Sequence, residues 1–220
     1  MTSVVFTDEE LAKIAAALAA KGPKAWEDDD LADLRLRIKK LRLAEQKNQC
    51  CYCRQLIPTD HGLAWNLDHV LVRKLYPQFC YEADNLAASC IDCNIAKSIY
   101  DALVKSMTRP PKKFPTQSAA YTLCHPRYDT YEDHLMRVAD YFYVPLDDKG
   151  VETVKACKLH RYAKKRLGVD ADPDASLAAD LANRLSRAAE PDAPAGSVNQ
   201  ALLEVHFIVE AALKAIYQVK

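Results

Sequence analysis

The sequence predicts an α+β protein that is predominantly helical, and three observations carry that expectation. Apolar residues recur at helical spacing towards both ends of the 220-residue chain. Between those ends, residues 50–98 lose the helical period and are punctuated by cysteine pairs, Pro58, Gly62 and Pro77. Half of all residues are apolar, enough to build real cores in one or two domains. The expected layout is a helical region over 1–49, a cysteine-clasped core over 50–105 and a mainly helical region over 106–220.

Thr7 and Glu10 form a capping box ahead of LAKIAAALAAK, and Gly22-Pro23 closes that helix. A second helix is expected from Asp28–Asp30, where acids suit the positive helix end, to about Asn48. Leu31, Leu34, Ile38 and Leu41 share one of its sides. Residues 50–98 read as a knuckle, a short β-hairpin, a loop, a second knuckle and a helix beginning near Asn94. The proline-rich, basic stretch SMTRPPKKFPTQS reads as a loop or arm. Further on, YFYVPL suits a short strand and GVETVKACKLHRYAKKRL a helix. PDAPAGS at 191–197 separates an Ala-rich helix from a last one, QALLEVHFIVEAALKAIYQ. Core packing or a dimer contact explains the apolar stripe of that last helix.

The chain has no apolar run of roughly 18 residues, so no membrane span is expected. MTSVVFTDEE lacks the basic start and apolar stretch of a secretory signal, which makes the cytoplasm the expected compartment. Eight cysteines in a reducing compartment point to metal or catalysis rather than disulfides. The net charge of zero disfavours a nucleic-acid partner at first sight, but the charges are segregated. Arg35, Arg37, Lys39, Lys40 and Arg42 form one basic cluster; Lys155, Lys158, Arg161, Lys164, Lys165 and Arg166 form another. A neutral total can hide a basic face, although such clusters read equally as solvated helix faces.

Cys50/Cys53 and Cys90/Cys93 are two C-x-x-C pairs, each able to turn two sulfurs towards one point. Together they supply the four thiolates of a tetrahedral zinc site, against the alternative of buried free thiols that fall in pairs. A complete thiolate shell leaves no position for substrate, so this zinc is structural. Cys51 competes with Cys50 for the first place, at a poorer knuckle spacing. Cys80, Cys124 and Cys157 have no spaced partner and read as small buried residues.

The insert between the pairs carries Asp68-His69 at the end of LAWNLDHV, then Asn85; Asn94 follows the second pair and Lys97 comes one turn later. Hydrolysis of a phosphodiester needs a base that works near neutral pH, for which His69 is the candidate. It also needs a hard cation with oxygen ligands, which Asp68 and Asn94 can supply. His69 as a satisfied core histidine and Asn85 as an ordinary turn residue are the plainer readings. Lys97 suits either a phosphate contact or a solvated helix position.

LDHV followed by ADNLAASCIDCNIAK resembles the ββα-metal core of the HNH endonuclease family in its zinc-knuckle form. The likeness covers residues 50–98, less than a quarter of the chain. It implies that His69 is the general base, Asp68 and Asn94 ligands of a catalytic Mg²⁺ or Mn²⁺, and Asn85 a brace for the loop that aims His69. Asn94 stands where many members have a histidine, and Leu71 or Val72 where a proline is common. Basic residues, among them Arg37, Lys40, Lys158, Arg161 and Lys97, would then hold a nucleic-acid backbone, DNA by family analogy. A fainter likeness links HPRYDTYEDHL and KGVETVKACKLHR to HNH proteins of bacterial anti-phage systems such as retron and Septu modules. It implies an effector restrained by a partner of ATPase type. His125 and His134 bracket Asp129, Glu132 and Asp133; such a cluster could bind a second metal, but its spacings match no standard ligand set, so surface and capping roles are the expectation for them. The competing expectation keeps the fold and drops the chemistry: a zinc module that binds nucleic acid or a protein.

Overall fold

A computed structural model of the chain describes residues 4–59, 64–104, 111–138, 140–167 and 196. The Ala-rich helix, the PDAPAGS linker and the last helix expected from the sequence lie outside these residues. Among these residues the architecture is mixed α+β and mostly helical, with two antiparallel two-stranded sheets. No helix among the described residues is long and apolar enough to cross a membrane.

Helix α1, Asp8–Lys21, starts on the expected capping box: Thr7 Oγ1 accepts from Glu10 N at 3.2 Å and Glu10 Oε2 from Thr7 N at 2.9 Å. Gly22 ends it at φ 51°, and Pro23 then opens a short 3-10 segment over Gly22–Glu27. The second helix departs from expectation at both ends. Asp28 caps a 3-10 turn, Asp29–Leu31, before α2 proper runs over Ala32–Glu45. At its other end Lys47 and Asn48 take left-handed φ values. Asn48 N donates to Leu43 O and Lys47 N to Ala44 O, a Schellman ending three residues short of the expected one.

Strand β1, Trp65–His69, pairs antiparallel with β2, Leu86–Cys90, and helix α3, Ile91–Lys97, follows without a gap. The expected short hairpin is instead a strand pair spanning the excursion 70–85. The helix begins at Ile91 rather than near Asn94 because Cys90 is its N-cap, its sulfur accepting from Cys93 N. Helix α2 docks on β2 through polar side chains. Gln46 brackets Ala88, accepting from its N at 2.9 Å and donating to its O at 2.7 Å. Arg42 is fully buried, donating to Leu86 O, Ala83 O and Glu45. This corrects its place in a surface basic cluster. Burial of the guanidinium is offset by three charge-assisted bonds.

By contact the chain divides into two compact units. The first holds the residues up to His134 together with Leu146–Leu159. Its N-terminal core joins Ile14, Ala17, Ala25, Leu31, Leu34 and Ile38 to Tyr81, Ala83 and Leu86, with Leu41 packed against it. The helical N-terminus is thus not a separate layer but the floor under the strand pair. The same unit contains α4, Tyr131–His134, and α5, Asp148–Ala156. The second unit includes β3, Leu135–Val138, paired with β4, Phe142–Pro145, and α6, His160–Leu167. The stretch read as one helix is therefore two. Lys158 at φ 47° ends α5, with Leu159 N bonded to Val154 O and Lys158 N to Lys155 O. A left-handed lysine in place of glycine hides this ending from the sequence.

Candidate metal centre and active site

The first knuckle, Cys50 to Cys53, turns back on itself through Arg54 N bonded to Cys50 O. The second is the junction of β2 and α3. The sulfurs of Cys50, Cys53, Cys90 and Cys93 all lie within 4.8 Å of one another, and all four residues are buried. Cys53 and Cys90 are 3.9 Å apart between sulfurs. A tetrahedral Zn–S₄ shell with bonds near 2.3 Å requires sulfurs about 3.8 Å apart, so these residues fit zinc. The N–H of Cys90 points at the Cys50 sulfur at 3.3 Å, helping to stabilise a thiolate. Cys50, not Cys51, belongs to the cluster; Cys51 N instead extends β2 by bonding Ala88 O. Cys80, Cys124 and Cys157 are buried as expected.

Asp68 and His69 close β1 and, as neighbours on a strand, project to opposite faces. Asp68 is buried towards α3, where Lys97 Nζ lies 3.1 Å from its Oδ2 and 3.3 Å from its Oδ1. Tyr52, inside the first knuckle, donates to Oδ2 at 2.7 Å. Lys97 is 2 % exposed and also donates to His69 O at 2.7 Å. It is neither solvated nor open to a phosphate in this arrangement, because Asp68 and a carbonyl engage its ammonium. Asn94 lies one turn before Lys97 and so on the same face of α3. It is half-buried, and its amide bonds no described residue.

His69 faces the N-terminal helices. Its Nε2 is 3.0 Å from Cys80 O, and the His69 and Trp26 rings meet in a T-shaped pair with centroids 4.3 Å apart. A carbonyl only accepts, so Nε2 carries the proton and Nδ1 keeps the lone pair in the neutral ring. Asn85 is fully buried and makes three bonds to the excursion. Its Oδ1 accepts from Leu71 N at 2.7 Å, and its Nδ2 donates to Leu71 O at 3.1 Å and Phe79 O at 3.0 Å. This amide ties the loop after His69 to the segment that offers Cys80 O. Tyr52, Trp26 and the Cys80 carbonyl were not foreseen. Tyr52 lies within a knuckle and Trp26 in a short linker, and a backbone carbonyl leaves no mark in a sequence.

Of the basic residues, Arg37 binds Glu10 at 2.7 Å, while Lys40 and Lys158 are exposed and the Arg161 guanidinium lies over the Tyr162 ring. Lys39 is turned inward to Trp65 O. Comparison with known protein families, curated proteins and solved structures gives no match.

Burial pushes His69 down to about 4 against the nearby charge of Asp68, with Lys97 and Arg73 adding to the depression. Burial likewise takes His125 to about 3, opposed by Asp129 and assisted by Lys149 and Arg127. Both rings are neutral in the fold, whereas an unfolded chain protonates them from about pH 6.5 downward. The unfolded state then holds more protons, so stability rises with pH between about 4 and 6.5. Acidification across that window is expected to cost on the order of a few kcal/mol. Urea midpoints measured at pH 7 and pH 5 should fall accordingly, and His69→Gln should flatten the dependence. A midpoint indifferent to pH would mean that both rings protonate freely in the native state.

Proposed function

We propose that this protein is a metal-dependent HNH-type endonuclease that hydrolyses nucleic-acid phosphodiester bonds, with DNA the substrate favoured by resemblance. The observation that carries the reading is the environment of His69: a neutral imidazole at a strand end, its Nε2–H held by Cys80 O, its loop clamped by Asn85, beside a helix clasped by four cysteines. That hydrogen bond orients the ring and leaves Nδ1 to take a proton from water. Asp68 and Asn94 would hold Mg²⁺ or Mn²⁺, which supplies charge neutralisation at the phosphate and leaving oxygen. Because Asp68 and His69 leave β1 on opposite faces, cation and base would have to meet one phosphate across the end of the strand. Lys97 would then have to yield part of its hold on Asp68 as the cation arrives. Lys40 and Lys158, both exposed, suit a salt-sensitive hold on the phosphate backbone. The setting we propose is an anti-phage effector restrained by a partner subunit, on the strength of the fainter sequence likeness alone. A change in particle size on adding the neighbouring gene products would support it, and full activity of an isolated monomer would oppose it.

A second reading, a zinc module without chemistry, has its own observation: the buried Asp68–Lys97–Tyr52 set is self-satisfied without a cation. Plasmid nicking with Mg²⁺ or Mn²⁺ separates the two. The native chain should nick, and His69→Ala should be slower by roughly 10²- to 10⁴-fold. Equal nicking by both would remove His69 from the reaction. Absence of nicking by the native chain, tested also with its partners, would leave the binding module.

A further inference from the structure

Away from the four-cysteine clasp, the fold gathers a second set of ligand-type side chains. The sulfur of Cys124, a carboxylate oxygen of Asp129 and a ring nitrogen of His134 all lie within 4.8 Å of one another. The turn after Cys124 builds this convergence. Cys124 N is held by Thr153 Oγ1 of α5 at 2.8 Å. His125 N donates to Asp129 Oδ2 at 2.6 Å, and Asp129 N returns a bond to His125 O. Asp129 is thereby folded back over Cys124. Helix α4 then brings His134 to the same point.

The His134 ring stands between two carboxylates. Its Nδ1 lies 2.6 Å from Asp147 Oδ2, while the other oxygen of Asp147 caps α5 at Gly150 N. A carboxylate only accepts, so Nδ1 is the protonated nitrogen. In the neutral ring Nε2 then presents a lone pair to Asp129 Oδ1 at 3.5 Å. In that tautomer two acceptors would face each other, and the distance is too long for a good N–H···O bond. Ligands bonded to one tetrahedral zinc at about 2.0–2.1 Å stand some 3.4 Å apart, which matches. A carboxylate on the far nitrogen is also the usual partner of a metal-binding histidine, fixing its tautomer and raising its basicity.

We infer that Cys124, Asp129 and His134 form a second metal site, for zinc or a cation of similar borderline character, with Asp147 as the positioning residue of His134. The mixed S, O and N donors suit that class better than Mg²⁺ or Ca²⁺. On binding, Cys124 releases its proton to solvent as the metal–sulfur bond forms. Lys149, 2.9 and 3.0 Å from the Asp129 oxygens, balances the carboxylate before the metal arrives. Afterwards it goes on donating to Asp129: one thiolate and the two carboxylates Asp129 and Asp147 then offset a divalent cation and one ammonium. Three protein ligands leave a coordination position for water or for a group from a partner, unlike the closed four-cysteine clasp. His134 is the partly exposed ligand, its side chain 16 % accessible, and marks the way in.

The test is metal content of the full chain, loaded with Zn²⁺ and desalted, measured by plasma mass spectrometry. Zinc is expected at one equivalent beyond that of the four cysteines. Cys124→Ser and His134→Gln should each lose that extra equivalent while keeping the first and an unchanged circular dichroism spectrum. Asp147→Asn, which retains the helix cap, should weaken it by roughly 10- to 100-fold. Titration with Co²⁺ gives a second readout, since the spectrum of a single-thiolate site disappears in Cys124→Ser and the four-thiolate spectrum stays. If Cys124→Ser does not fold, His134→Gln decides. A native chain holding no zinc beyond the four-cysteine site, or a His134→Gln chain that keeps the extra equivalent, overturns the inference and leaves His134 as an ion-pair partner of Asp129 and Asp147.

Discussion

Stripping zinc from the chain is expected to unfold residues 50–98 while the contacts of α1 with the 3-10 turns that follow it persist longer. The knuckles join three segments that otherwise meet only through short strands: the turn at Cys50–Cys53, the end of β2 and the start of α3. With the metal bound, four thiolates within 4.8 Å share a divalent cation. Without it they must all be protonated or repel one another in a buried site, and α3 is too short to stand alone. Structural zinc supplies on the order of 10 kcal/mol in small domains, comparable to the whole stability of a fold this size. Chelation, or Cys93→Ser, should therefore abolish amide-exchange protection in β1, β2 and α3 and broaden the thermal transition. Protection unchanged after verified removal of zinc would show that the thiols pack as an apolar cluster with no metal.

Asn85→Asp should destabilise the fold by on the order of 4 kcal/mol, although it changes one atom and no volume. Asn85 Nδ2 donates to Leu71 O and Phe79 O in a site closed to water. An ionised aspartate keeps the bond from Leu71 N but turns an oxygen towards both carbonyls. Two buried acceptors are orphaned, and a charge is buried without a counter-ion. Protonating the aspartate restores one donor, so the loss should shrink as the pH falls, opposite to the trend set by His69 and His125 in the native chain. Urea unfolding of the variant at pH 7 and pH 5 reads both effects. A loss below about 1 kcal/mol would mean that the loop relaxes and that Asn85 does not hold the Cys80 carbonyl against His69.

Patterns whose partners sit within a few residues were readable directly. Thr7 and Glu10 announce the start of α1, Gly22 its end, and each C-x-x-C pair its own turn, because a cap or knuckle is a local hydrogen-bond problem with few solutions. The helix ends at Lys47 and Lys158 were not readable: lysine carries no preference for the left-handed region, so the buried residues flanking each end had to impose it. The basic cluster on α2 was readable as composition only. Which of its members face water depended on what packed against the helix, and Arg42 and Lys39 turned inward to carbonyls of the strand pair and of the turn before β2.

Composition and spacing thus pointed to a mostly helical chain with a cysteine-clasped middle, and the resemblance of that middle to a known core named the residues worth testing in it. The ion pair of Asp68 with Lys97, the bond from His69 to the Cys80 carbonyl and the meeting of Cys124, Asp129 and His134 emerged only when the chain was folded. The physical reason is range and anonymity. Asp68 and Lys97 lie 29 residues apart, and a backbone carbonyl is carried by every residue alike, so neither contact imprints a pattern on the one-dimensional order of side chains.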